Sequence, residues 1–553
     1  MASAPTTARP AGQAGGGRAA TSGLAGAREL TKLAVRRDRI MLPVWVYALT
    51  AISLSGGYAL KLVYKTAAAR ASLAASVHTT PALKFLYGQF YGDSLGALIA
   101  WRYLVYAALG AALMSIFLVV RHTRADEETG RLELIGSTAV GRHAPLAVAI
   151  VVATAANLIL LVLSALVLVV SGLPVTGAIA FGLAEACCGL AFAGITAVAA
   201  QVSGTARGAR GIAIALLGLI FLLRGAGDSG GGHGLAWLTW LSPIGWAELV
   251  RPFAGERWWV LGLPLLTLLA GTGLAFLLAA RRDQGAGLLP QRPGPATAGR
   301  LLAGPLGLSW RLQRGTLAGW AAGFLAGGLA VGVVTTSIGK LVGHTAGITK
   351  AIDKIGGQSA LTNAYLAGCM SLLGLVAAGY AVSAVARLRA DEEAGHDEPL
   401  LAAPVSRLRW GGSHLVTVAI GAAAVLVAGG LGVGLAYGIA ISDVSTQVPR
   451  LIGAGLAQLP AALAVAAVGA AFVGLLPRWS DVAGWIALAL CGFIGLFGPA
   501  MNLAQAVLDL SPFTHVPKLP GGEFSVMPLF WLSVIAVVLA GACLAGLRRR
   551  DIG

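Results

Sequence analysis

The chain has 553 residues, 57% of them hydrophobic and only 11% charged, with 77 glycines and a formal net charge of +17. So little polar surface for so much apolar sequence excludes an ordinary soluble globular protein and a disordered chain alike. The cations lie between apolar runs instead of on one segment, which fits orientation in a membrane and argues against a nucleic-acid partner.

In chain order, residues 1–27 are rich in Ala, Gly, Thr and Arg and are expected to be a disordered cytosolic N-terminus, with no cleavable signal peptide. The basic segment that follows places Arg28, Lys32, Arg36 and Arg39 at helical spacing. Apolar runs of the roughly 20 residues that cross a bilayer then recur. Six spans are predicted near 41–60, 97–120, 144–173, 175–202, 207–224 and 257–280, and six more near 315–337, 362–386, 412–440, 450–476, 480–499 and 526–547. Only Pro477–Trp479 separates the tenth and eleventh, and Pro477 supplies the break. With the N-terminus in the cytosol, cytosolic segments collect 27 of the 40 Lys and Arg residues and external segments 12, so both termini are expected inside. The expected class is an all-α polytopic membrane protein with about 12 transmembrane helices.

The chain also repeats itself. Residues 33–45, LAVRRDRIMLPVW, match 308–320, LSWRLQRGTLAGW, and residues 124–142, RADEETGRLELIGSTAVGR, match 389–407, RADEEAGHDEPLLAAPVSR, without a gap. Leu-Ser-Pro at 241–243 recurs at 510–512, and Arg-Arg-Asp at 281–283 recurs at 549–551. The order of these landmarks divides the chain into a first six-helix half, 28–283, a proline-containing cytosolic linker, 284–306, and a second six-helix half, 307–553. An even number of spans returns the chain to its starting side, so the halves are parallel and pseudo-symmetric.

Of only 23 acidic residues, nine sit in the two matched loops: Asp126, Glu127, Glu128 and Glu133, then Asp391, Glu392, Glu393, Asp397 and Glu398. The stretch from Gly130 reads as a short amphipathic helix with Leu132, Ile135 and Val140 as apolar contacts. A single loop of this kind is most simply a solvated connector. Two copies at matched places point to a surface that receives a soluble partner.

With those residues in view, the loop resembles the coupling-helix segment of ABC-2-type transporter permeases: Glu128-Thr-Gly-Arg-Leu-Glu133 resembles its beginning and Pro404-Val-Ser-Arg407 its end. The fused arrangement is similar to actinobacterial exporters of polyketide antibiotics. The resemblance implies an amphipathic connecting helix over 28–40 and external re-entrant helices in 226–256 and 500–525. It also implies ATPase coupling through Asp126, Glu127, Glu128, Gly130, Leu132, Glu133, Val140 and Arg142, and through Asp391, Glu392, Glu393, Glu398, Val405 and Arg407. The implied partner is a cognate ABC ATPase subunit in two copies, carrying ATP and Mg, in a bacterial inner membrane, with a hydrophobic or amphipathic compound as cargo. Pro399 stands in the second copy where the first has Leu134, so the second element is expected to be shorter or shifted.

No cofactor site is legible in the chain itself. Its Gly339-Lys340 pair has Val334 where a phosphate-binding loop needs glycine, and it is expected in an external loop. The five cysteines fall in apolar runs without metal-ligand spacing and read as small buried hydrophobes. His122, His143 and His414 are separated and expected at the interface. Glu185, the clearest ionisable group inside a span, would either line a substrate pathway or sit protonated in a helix–helix hydrogen bond. Asn157 and Gln458 are expected interhelical hydrogen-bond partners, Asn157 also a pathway candidate, and Arg102 is expected to snorkel. The rival reading is a proton-coupled secondary drug transporter with twelve helices, in which Glu185 would carry the proton.

Overall fold

The computed structural model describes residues 23–64, 66–79, 81–136, 138, 140–230, 234–282, 285–288, 297, 299, 302, 304–342, 357–497 and 504–549. Helix is the only regular secondary structure among them, and the chain divides into two compact units, Met1–Arg292 and Pro293–Gly553. Residues 1–22 of the expected disordered terminus, and most of the expected linker, lie outside the described residues.

The first unit opens with α1 (Ala27–Arg37), which buries Ala34 and leaves its basic residues outside. It continues through α2 (Met41–Val63), α3 (Ala67–Thr79), α4 (Pro81–Tyr87) and α5 (Leu95–Val120). A π-helical turn, Arg121–Ala125, prolongs α5 into α6 (Asp126–Glu128) and α7 (Arg131–Gly136). Then follow α8 (Ala144–Val170), α9 (Val175–Val202), α10 (Ala206–Ser229), the short α11 (Pro243–Leu249) and α12 (Gly262–Ala280). α9 is the central helix: it packs on α5, α8, α10 and α12. It can do so because it is built from Ala, Gly and Cys, whose small side chains allow close approach of backbones on every side. α12 instead turns Leu266, Leu269 and Leu277 outward, the pattern of a surface solvated by lipid.

The second unit contains α13 (Pro305–Val342), α14 (Gly357–Glu393), α15 (Glu398–Leu401), α16 (Arg407–Ala440), α17 (Val444–Leu456), α18 (Leu459–Leu475), α19 (Ser480–Phe497), α20 (Gln505–Leu508) and α21 (Val526–Arg549). α18 is its core helix, against α14, α19 and α21. α13 and α16 lie so close that a Cβ on Gly328 would stand 2.3 Å from the Gly429 carbonyl oxygen, a contact only glycine permits.

Ten helices of the described residues are long and apolar enough to cross a membrane. Shorter apolar helices, Met41–Ser53 and Val482–Gly495, stand where the first and eleventh spans are predicted. The chain is therefore an all-α, multi-pass membrane protein. Several helices run past their predicted ends. α10 continues to Ser229, and α13 continues through Gly339 and Lys340, which sit on a helix and not in a loop. Hydropathy ends a span at its first polar residue, whereas the backbone hydrogen-bond ladder continues through it.

Candidate functional site

The 124–142 segment is held from within. Arg124 is almost fully buried, although it carries a charge. Its Nη1 pairs with Glu127 Oε2 at 2.5 Å, its Nε donates to the Ala200 carbonyl, and its Nη2 donates to the Ala286 carbonyl at 2.9 Å. Arg282, just past α12, donates from Nη2 to Glu127 Oε1 at 2.5 Å and from Nε to Gln201 Oε1 at 2.7 Å. One carboxylate thus ties together the ends of α5, α9 and α12, and two guanidinium groups satisfy it.

Its neighbours are engaged as well. Asp126 pairs with Arg37 at the end of α1 at 2.5 Å, and Glu128 Oε1 accepts from the Ala206 amide at 2.9 Å, capping α10. Arg142 caps the other end of the site, donating to the carbonyls of Ala279 and Arg282 at 3.1 and 2.5 Å. Val140 lies beside Gly26, and the Gly141 and His143 amides donate to the carbonyls of Ala25 and Gly23. Gly130 takes φ 69°, the left-handed turn that separates α6 from α7. Leu132 is half-buried, while Glu133 and Leu134 face outward, Leu134 at 75% exposure. The side chain of Ile135 lies outside the described residues. A groove of about 480 Å³ runs between α1 and α7, lined by Leu30, Leu33, Arg36, Arg131 and Leu132.

The second loop repeats the frame. Arg389 pairs with Glu392 at 3.1 Å and with Glu393 at 2.9 Å, both on its own helix. Gly395 takes φ 65°, and Asp391 faces His396 at 3.6 Å. α15 is four residues long with Pro399 in its first turn, against six residues for α7. Asp397, at its N-terminus, is buried, and desolvation, with Glu392 and Glu398 nearby, holds its carboxyl above the ordinary value. Glu398 is exposed, Val405 packs partly on the core, and Arg407 opens α16 behind Ser406, whose hydroxyl accepts from the Arg409 amide.

Within the spans, Asn157 donates to Ser115 Oγ at 2.8 Å, joining α8 to α5. Glu185 is fully buried on α9, with Ser164 the polar group facing it. Arg102 lies over the Tyr87 ring at 4.0 Å. His122 and His414 are buried; His122 Nε2 meets the buried Asp38 carboxylate at 2.5 Å, and Arg121 shares that carboxylate at 2.9 Å. Gln458 is buried beside Gly374 of α14. No group of three or more His, Cys, Asp or Glu side chains among the described residues could hold a metal ion.

Three features escaped the sequence reading. Arg124 and Arg282 lie at the edges of repeated landmarks, and their identity in both copies was the available signal. The Asp38–His122 pair has no counterpart to signal it, since Gln313 and Arg387 stand at the matching places. A buried cluster of Arg224, Asp228 and Glu248, at the opposite end of the unit, was hidden because hydropathy ended the fifth span at residue 224.

Residues 302–548 match the family model for the C-terminal domain of the multidrug efflux system permease Rv1217c. Over 549 residues, 99% of this chain and 98% of the relative, the sequence is 42% identical to the multidrug efflux system permease protein Rv1217c of Mycobacterium tuberculosis. With ten membrane-length helices, a duplicated loop and a relative matched from end to end, the chain belongs to the family of the multidrug efflux system permease Rv1217c.

Proposed function

We propose that this chain is the membrane half of an ATP-driven exporter, and that it moves a hydrophobic or amphipathic drug or antibiotic out of the cell. ATP hydrolysis belongs to a separate ATPase, bound in two copies at the loops 124–142 and 389–407, which face the cytosol with both termini. The observation that carries the reading is the duplicated loop: a helix-ending Arg-Ala-Asp-Glu-Glu segment, a left-handed glycine and a short helix with an exposed acidic residue, in the same order in both units. Such a surface suits a soluble partner that pushes on the ends of long helices. In the first unit the Arg124–Glu127–Arg282 network would pass that push from α7 into α5, α9 and α12. The drug-efflux role is supported by the name of the Mycobacterium tuberculosis relative.

The test is affinity purification of the detergent-solubilised chain from its native membrane, followed by an ATPase assay of the eluate. Co-purification of an ATPase that is released by E133K together with E398K supports the proposal. Absence of any ATPase, with drug efflux that collapses only when the proton gradient does, favours a proton-driven carrier acting through Glu185.

A further inference from the structure

The first unit buries a second charged cluster at the end away from the 124–142 loop. Ser94, which caps the start of α5, lies beside Phe253, and Arg124, in the π-helical turn after α5, lies beside Ala200, so the two ends are set apart. Arg224 on α10 is fully buried, Asp228 one turn on is 2% exposed, and Glu248 on α11 is 6% exposed. Arg224 Nη1 reaches Glu248 Oε1 at 2.9 Å and Asp228 Oδ2 at 3.4 Å, while its Nη2 donates to the Phe85 carbonyl at 2.7 Å. Thr239 donates to Asp228 Oδ1 at 2.9 Å. Both oxygens of Asp228 therefore have donors. Glu248 Oε2 is buried and has none.

Among the described residues, Arg224 is the one cation bonded to the two carboxylates, and Glu248 also lines a small cavity with Tyr91 and Arg251. One nitrogen, Arg224 Nη1, bridges the two carboxyl groups, so they face each other across a single guanidinium. Like charges so placed do not both ionise, and a proton on one lets it donate to the other. The other guanidinium groups beside Tyr91, Arg251 and Arg257, make no ion pair with either carboxylate among the described residues. Tyr91, after α4, is a neutral phenol with Arg251 stacked on its ring at 4.4 Å, and Arg102 of α5 is engaged over Tyr87. The turn before α11 offers Thr239, and α9 carries no ionisable side chain before Glu185. Gly88 backs the free oxygen so closely that a Cβ there would stand 2.1 Å from Glu248 Oε2. Just beyond α11, Arg251 and Phe253 hold left-handed backbones at φ 56° and 63°, a strained stretch.

We propose that Asp228 and Glu248 form a proton-binding site: one proton, held between the two carboxyl groups, neutralises the cluster and holds α11 against α10. Loss of that proton leaves two carboxylates facing one guanidinium and loosens α11, so the end of the unit opposite the docking loop responds to the pH on its own side. The site is independent of the energy source that drives transport.

The experiment uses the full chain in lipid nanodiscs. Infrared absorption of protonated carboxyl groups is recorded against pH in an E185Q/D397N background, which removes two further buried carboxyl groups and leaves the buried Asp38 in its pairs with Arg121 and His122. A protonated-carboxyl band at neutral pH that is lost on adding either E248Q or D228N supports the site. Thermal melting gives the second readout. The parent should lose stability as pH rises through the band's titration, whereas E248Q and D228N should melt at a temperature independent of pH there. Absence of the band in the E185Q/D397N parent overturns the proposal even if the further variants fail to fold, and so does a band that survives both of them.

Discussion

Gly130 and Gly395, 265 positions apart in the chain, occupy the same left-handed backbone region, at φ 69° and 65°. Each follows a helix that ends in Asp-Glu-Glu, and each precedes the short helix of its loop. The gap-free alignment of the two loops thus has a conformational counterpart: the chain reverses at the same residue in both copies. Nothing lies within 4 Å of a Cβ built on Gly130, so alanine there meets only the backbone penalty. Gly130→Ala and Gly395→Ala are each expected to cost about 1 kcal/mol, read as a lower melting temperature in detergent. An unchanged melting curve for both would show that the turn is not held as described.

Glu127 and Glu133 are expected to behave oppositely although both are acidic residues of one loop. Glu127→Ala leaves the buried Arg124 without its carboxylate and should destabilise the first unit by about 3 kcal/mol. Glu133→Lys lies on the exposed face and should leave the melting temperature unaltered while weakening capture of an ATPase. Equal effects of the two on stability would contradict the internal role of Glu127.

Glu128 was a docking candidate by composition, yet its carboxylate accepts from the Ala206 amide at the start of α10. Glu128→Ala should cost about 1 kcal/mol as a lost helix cap. Glu128→Gln, which keeps an acceptor oxygen, should recover most of it. Hydrogen exchange at the first turn of α10 is the direct readout, and exchange unaffected by Glu128→Ala would remove the cap.

Asp397 supplies a pH dependence. Burial, with Glu392 and Glu398 nearby, raises its carboxyl above the ordinary 3.8. A raised acid binds its proton more tightly in the folded state, so its contribution favours folding at low pH and fades as pH rises from about 3.8 through the raised value. Asp397→Asn should therefore match the wild type in acid and exceed it in melting temperature near neutrality. A variant that loses stability at neutral pH would show that the carboxylate is paired.

The all-α membrane class, the duplication and the two acidic loops were legible because each rests on a local pattern: runs of about 20 apolar residues, gap-free identity and charge density. The shortening of the second short helix by Pro399 was equally local. What composition could not distinguish was which charges face outward. Glu127 and Glu133 look alike in a string of letters. Only the convergence of α5, α9 and α12 brings Arg124 and Arg282, the latter 155 positions away, onto one of them and leaves the other exposed. The same holds for Glu248, whose oxygen becomes an orphan only when α11 folds onto α10 beside Gly88. The sequence by itself determined that the chain crosses a membrane many times and carries matched segments in the same order twice, since hydrophobic length and repetition are properties of neighbouring residues. Tertiary structure decided which ionisable groups are locked, capped or poised to exchange a proton, because desolvation and ion pairing depend on residues that meet only after folding.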